Sequence, residues 1–183
     1  MREFDPNAVL TGNIWGYLWG KLGYGAMLFA TALTDDSMSE NFADPARFAV
    51  FDRLGREVMA VARARNVQPV GFNGFDPAAF IAEAPQSASR ASIAALAEFN
   101  RHSAKTHSGI WRDLAVRKRR TEVDPQIGAI AELGKEVRVD TPAIRTLVGL
   151  IHDIEDGRRP QSFATFQVLL DQCRKPSPAA SRS

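Results

Sequence analysis

The chain has 183 residues, 45% hydrophobic and 24% charged, enough for one globular domain with a proper core. Its net charge of +2 gives no general pull toward nucleic acid or acidic membranes. The single cysteine, Cys173, excludes an internal disulfide and suits a small core residue in a terminal helix. Residues 1–12 are a polar lead-in without the apolar segment of a secretory signal. Next comes NIWGYLWGKLGYGAMLFATALT, from Asn13 to Thr34, with Lys21 its one charge. Trp15, Leu18, Leu22, Ala26, Phe29 and Leu33 recur at steps of three or four and predict an apolar helical stripe. Gly16, Gly20 and Gly23 predict a smooth line that another backbone can approach. Four glycines in a helix cost about 1 kcal/mol each against alanine, so packing must offset them and the helix should be central.

This stretch is long enough to span a bilayer, and Gly16 and Gly20 have the spacing of close-packed membrane helices. A lysine near its middle costs about 2.5–3.5 kcal/mol on insertion scales. No second span exists and the remainder reads as amphipathic helices, so the expectation is a soluble, cytoplasmic protein without a membrane partner.

DDSMSENFADP is a polar break, after which Phe48, Phe51, Leu54, Val58, Val61 and Ala62 predict a helix from Pro45 to about Arg65. Residues 66–77 hold two prolines and two glycines and predict a loop. A short helix is expected from Asp76–Pro77 to Pro85. Another should run from Ser87 to His102 with Ile93, Leu96, Ala97 and Phe99 inward. Ile110, Trp111, Leu114 and Ala115 predict a helix ending in the basic run Arg117–Arg120, with Trp111 in the core. Asp124–Pro125 opens a helix carrying Ile127, Ile130, Leu133 and Val137. Asp140-Thr141-Pro142 starts one carrying Ile144, Leu147, Val148, Ile151 and Ile154. A last helix runs from Ser162 to Cys173, and residues 174–183 read as a disordered tail. The 3.6-residue period recurs and no period-two run does, so the fold class is all-α, with seven or eight helices.

No glycine-rich phosphate loop, paired-cysteine site or nucleophile elbow is present. His102 and His107 are five apart, a poor match to two ligands on one helix face. Arg117–Arg120 reads either as a phosphate-contacting patch or as a solvated helix end complementing the dipole. Glu122 is either an ordinary exposed glutamate or a group projected from a helix junction. Lys21 is either a lysine snorkelling to water or a functional cation. A lysine in a partly desolvated cleft can polarise a carbonyl and donate a proton as alkoxide charge develops.

Asn13-Ile14-Trp15 and Trp19-Gly20-Lys21-Leu22 resemble the start of the helical C-terminal domain of ketopantoate reductases (2-dehydropantoate 2-reductases). Ser108-Gly109-Ile110-Trp111-Arg112-Asp113-Leu114 is similar to that family's S-S-M-x-x-D-L segment, and Thr121-Glu122-Val123-Asp124 to its T-E-[IV]-D motif. The resemblance covers about residues 10–160. It implies an all-α domain of the 6-phosphogluconate-dehydrogenase C-terminal type, residues 13–173, packed against a Rossmann domain that binds NADPH. It further implies reduction of ketopantoate to pantoate in pantothenate biosynthesis, with Lys21 as general acid. Glu122 would hold the substrate or orient the lysine, and Ser108 and Asp113 would contact substrate.

The sequence departs from the pattern at several places. Gly25 stands where the family has asparagine, Gly109 replaces the second serine, and the stretch from Asp113 to Glu122 is one residue longer. Met1 falls where the interdomain linker should lie, so the NADPH-binding half is expected to be missing and the chain inactive alone. The partners implied are a small 2-keto acid, a Rossmann domain in cis or trans and a second copy in a homodimer, with no nucleic acid, no metal and no cofactor site of the chain's own. The competing reading is a non-catalytic helical interaction or dimerisation module derived from such an enzyme.

Overall fold

The computed structural model describes residues 11–175. They form eight α-helices: α1 (Ile14–Thr31), α2 (Met38–Ala43), α3 (Phe48–Ala64), α4 (Gln86–Arg101), α5 (Gly109–Ala115), α6 (Ala129–Glu136), α7 (Pro142–Glu155) and α8 (Phe163–Arg174). No strand occurs among the described residues, whose β structure is an isolated bridge between Phe72 and Phe75. None of these helices is long and apolar enough to cross a membrane. The expected lead-in and tail fall largely outside the described residues, and α8 runs one residue past Cys173, to Arg174.

α1 and α3 pack against each other at the centre. Asn13 starts α1, its side-chain oxygen accepting from the Gly16 N–H at 2.9 Å. The smooth glycine line is used by a loop rather than a helix. The Val70 N–H donates to the Gly16 carbonyl at 2.9 Å, and a Cβ on Gly20 would overlap the Val70 carbonyl oxygen. A Cβ on Gly23 would press on the Phe75 ring. The predicted stripe is buried only in its second half. Ala26, Phe29 and Leu33 are in the core, whereas Trp15 is 63% and Leu18 42% exposed. The loop covers the glycine side of the first half of α1 and leaves Trp15, Tyr17 and Leu18 outward, while Trp19 is buried.

α3 follows the prediction, with Phe51, Leu54, Val58 and Val61 fully buried. Between them lies Glu57, whose carboxylate accepts from Arg53 at 2.9 Å and from the backbone N–H groups of Ala143 and Ile144 at 3.1 and 3.0 Å. Glu57 therefore caps α7 from another helix, in place of the Thr141 side chain, which makes no cap bond. Burial pushes the Glu57 carboxyl above its ordinary pKa despite these donors.

The polar break contains α2, which the sequence reading treated as non-helical. Ser37 and Glu40 form a capping box, and Met38 and Phe42 are its buried anchors. Behind it, Arg47 donates to Asn41 and Asp36, both at 2.6 Å, and to Asp44 at 3.0 Å. Other expectations need correction. Residues after Asp76 form a 3-10 turn at Pro77–Phe80, not a helix to Pro85. Phe99 is exposed. Asp124–Pro125 opens a π-helical turn, Asp124–Gly128, before α6. Helix α5 stops at Ala115, so the basic run lies in the connection beyond it.

Candidate functional site

The first half of α1 presents Ile14, Tyr17, Leu18, Lys21 and Gly25 along one side, at positions i−7, i−4, i−3 and i+4 from the lysine. Ile14 is 64% exposed, and Tyr17 and Leu18 are open as well. Lys135 and Lys175 bond to Glu132 and Gln172, whereas the side chains of exposed Lys21, Lys105 and Lys118 have no hydrogen-bond or ion-pair partner among the described residues. A Cβ at Gly25 would meet nothing within 4 Å, so there is room one turn beyond the ammonium. An unpaired cation beside apolar and aromatic surface can meet the carboxylate or carbonyl of a small ligand.

Among the elements packed on α1 are α5 and the π-helical turn after Val123. Ser108 starts α5, its hydroxyl oxygen accepting from the Trp111 N–H at 3.1 Å. The hydroxyl proton takes no part in that bond and remains able to donate. The adjoining Gly109 has no atom within 4 Å of a would-be Cβ. Asp113 accepts from Arg117 at 2.7 Å and from Arg119 at 3.0 and 3.2 Å. Burial raises its pKa, but the two guanidiniums outweigh this and hold the carboxyl below its ordinary value. With both oxygens engaged, Asp113 secures the basic connection. Arg120 likewise bonds to Glu155 at 3.1 Å and Asp156 at 2.6 Å, so the arginines of the run are bound within the fold.

The segment Thr121–Asp124 is held at three of its four residues. Thr121 donates from its backbone N–H and its hydroxyl to Glu155 Oε1, each at 2.7 Å. Val123 is fully buried. Asp124 lies 2.9 Å from His152 Nε2, whose Nδ1 is 2.9 Å from Glu155 Oε2. Glu122 is exposed and accepts from the Gln126 side chain at 2.7 Å. Burial by itself lowers the His152 pKa. The hydrogen bonds to Glu155 and then Asp124 outweigh it and raise the value, favouring an imidazolium between two carboxylates.

α1 packs on α5 and on the π-helical turn, but the residues before Ser108 lie beyond the C-terminal end of α1, Thr106 accepting from the Met38 N–H at 2.9 Å and His107 Nε2 lying 3.0 Å from the Asp35 carbonyl, whereas Lys21 is in its first half. No hydrogen bond joins Lys21 to Ser108, Asp113 or Glu122. Among the described residues no strand precedes a glycine turn, and Gly16, Gly20 and Gly23 of α1 are covered by the Gln68–Val70 backbone and by Phe75.

Residues 13–155 match the family model described as Ketopantoate reductase PanE/ApbA C terminal. The chain belongs to this ketopantoate reductase C-terminal family. No curated protein matches the sequence. The ketopantoate reductase match begins at Asn13, the cap of α1, and ends at Glu155, the residue that clamps Thr121. Glu155 and His152 are the site-building residues that sequence reasoning missed. A signal existed, since Glu155 continues the core series Leu147 and Ile151 at four-residue steps, where an acid needs buried donors.

Proposed function

We propose that this chain is the substrate-binding and acid-supplying domain of a ketopantoate-reductase-type oxidoreductase that reduces a 2-keto acid, with ketopantoate the first candidate. The observation that carries this reading is Lys21. It is exposed and unpaired beside Tyr17 and Leu18, and its helix packs against α5 and against the π-helical turn that follows Thr121–Val123. In this reading the Lys21 ammonium binds the ketone oxygen and delivers a proton to it as the carbonyl becomes an alcohol. Glu122, projected from a turn pinned on both sides, holds a substrate hydroxyl or steers the ammonium. Ser108, buried at the start of α5, would offer its hydroxyl proton to a substrate carboxylate only where the ligand reaches that helix start. NADPH, which the family implies, would be held by a Rossmann domain in cis or trans.

The exposed Ile14, Trp15 and Leu18 also favour a second reading, a helical interaction module that associates through α1 without catalysis. Fusing the chain to the Rossmann domain of a ketopantoate reductase and following NADPH oxidation with ketopantoate and other 2-keto acids separates the two. Turnover of a 2-keto acid is expected on the first reading. A folded fusion that binds NADPH yet turns over none of them contradicts it.

A further inference from the structure

A concave region lies away from Lys21, between α3, the segment after Phe80 and the connection from α6 to α7. It encloses about 890 Å3, within the range of small-molecule sites, and Lys21 does not line it. Its floor is apolar, formed by Met59, Phe80 and Val139. Four arginines line it, Arg53, Arg56 and Arg63 from one side of α3 and Arg138 from across the opening.

These arginines are not equivalent. Arg56 is fully engaged, bonding to Asp52 and to the carbonyls of Ile81 and Ala84, and so fixes one wall. Arg53 is only 19% exposed and uses its Nε on Glu57, while its two terminal nitrogens have no partner among the described residues. Arg63 bonds to Glu83 through one terminal nitrogen and keeps the rest of its guanidinium open. The Arg138 guanidinium has no partner among the described residues.

The backbone at Arg138 is the decisive feature. Helix α6 ends in a Schellman motif: the Val139 N–H donates to the Gly134 carbonyl at 2.8 Å and the Arg138 N–H to Lys135 at 3.2 Å. This places Arg138 at φ 59°, a left-handed conformation that favours glycine or asparagine. The end of α3 makes the same motif with Asn66, a tolerant residue, on the same rim. An arginine is therefore held in an unfavourable conformation where glycine would stabilise the turn, with an unpaired guanidinium on the rim of an apolar cavity.

The geometry points to a second ligand site here, for a small organic anion that carries a carboxylate or phosphate on an apolar body. Arg138, Arg53 and Arg63 meet the anion, and Met59, Phe80 and Val139 take the apolar part. The site is separate from the Lys21 region and does not rest on the reductase reading.

Titration calorimetry of the full chain with phenyl phosphate, benzoate, inorganic phosphate and benzyl alcohol tests it. Phenyl phosphate, benzoate or both should bind saturably, and inorganic phosphate and benzyl alcohol about tenfold more weakly, since each lacks one half of the recognition. The relative strength of the first two tells a phosphate ligand from a carboxylate one. Arg138→Gly should weaken the favoured probe about tenfold while melting no lower than the wild type, because glycine suits the turn. Lys21→Ala should leave probe binding unchanged. Absence of saturable binding by both anions, binding unaltered in Arg138→Gly, or binding removed by Lys21→Ala would each overturn the proposal.

Discussion

Thr121 gives both its donors to one carboxylate oxygen of Glu155, and this pair ties the Glu122 turn to the last turn of α7. The Glu155 side chain is 1% exposed and also receives Arg120 and His152, so its removal would strand several donors. Glu155→Ala should therefore lower unfolding free energy by about 3 kcal/mol or more. Thr121→Val, which removes one hydroxyl, should lower it by about 1 kcal/mol. Urea denaturation measures both. A change below about 0.5 kcal/mol for Glu155→Ala would show that the clamp is not structural.

His152 makes this anchor pH-dependent. Its folded-state pKa is raised above the ordinary value of 6.5, so its contribution is fully present below that value and is lost as pH rises through the folded pKa. Glu155 works in the opposite sense. Burial raises its pKa, but the Thr121 and His152 bonds outweigh this and lower it below 4.5, so its contribution is lost only as pH falls through the lowered value. The stability difference between wild type and His152→Gln should be largest near pH 6 and shrink toward pH 9. A difference independent of pH would contradict the assignment.

Glycine positions on α1 should respond oppositely. Gly20→Ala drives a methyl group into the Val70 carbonyl and should destabilise by about 2 kcal/mol or more, since backbone cannot yield as a side chain does. Gly25→Ala meets nothing and should stabilise by up to about 1 kcal/mol through helix propensity. Paired denaturation curves check the sign of each.

Cys173 is buried in α8, and burial, with the nearby Glu57 charge, pushes its thiol up to about 12. Thiol reagents at pH 8 should leave it unmodified until denaturant is added. Rapid labelling of the native protein would place α8 differently.

Local pattern accounts for most of the fold. The apolar series of α3 and α7 and the Asp140-Thr141-Pro142 start were legible because each depends on neighbours in the chain. Helix α2 was not, since two apolar residues in a polar run leave no period to read, and its cue was the Ser37–Glu40 capping box. The exposed Trp15 and Leu18 were misplaced because the loop through Val70, far along the chain, decides which side of α1 is covered. Of the site, Lys21 stands out as an isolated charge and Glu122 as an acid at a helix junction, each in motif-like surroundings. Glu57 and Glu155 do not, because their roles depend on donors 86 and 34 residues away.

The central claim is that Lys21 is the proton donor. The direct measurement is steady-state NADPH oxidation with ketopantoate by a Rossmann-domain fusion, comparing wild type with Lys21→Met. Because the ammonium is exposed and unpaired, the variant should fold and melt as the wild type does. Its kcat should fall about a hundredfold or more. A kcat within about twofold of wild type, in a fusion that is folded and active, would contradict the account.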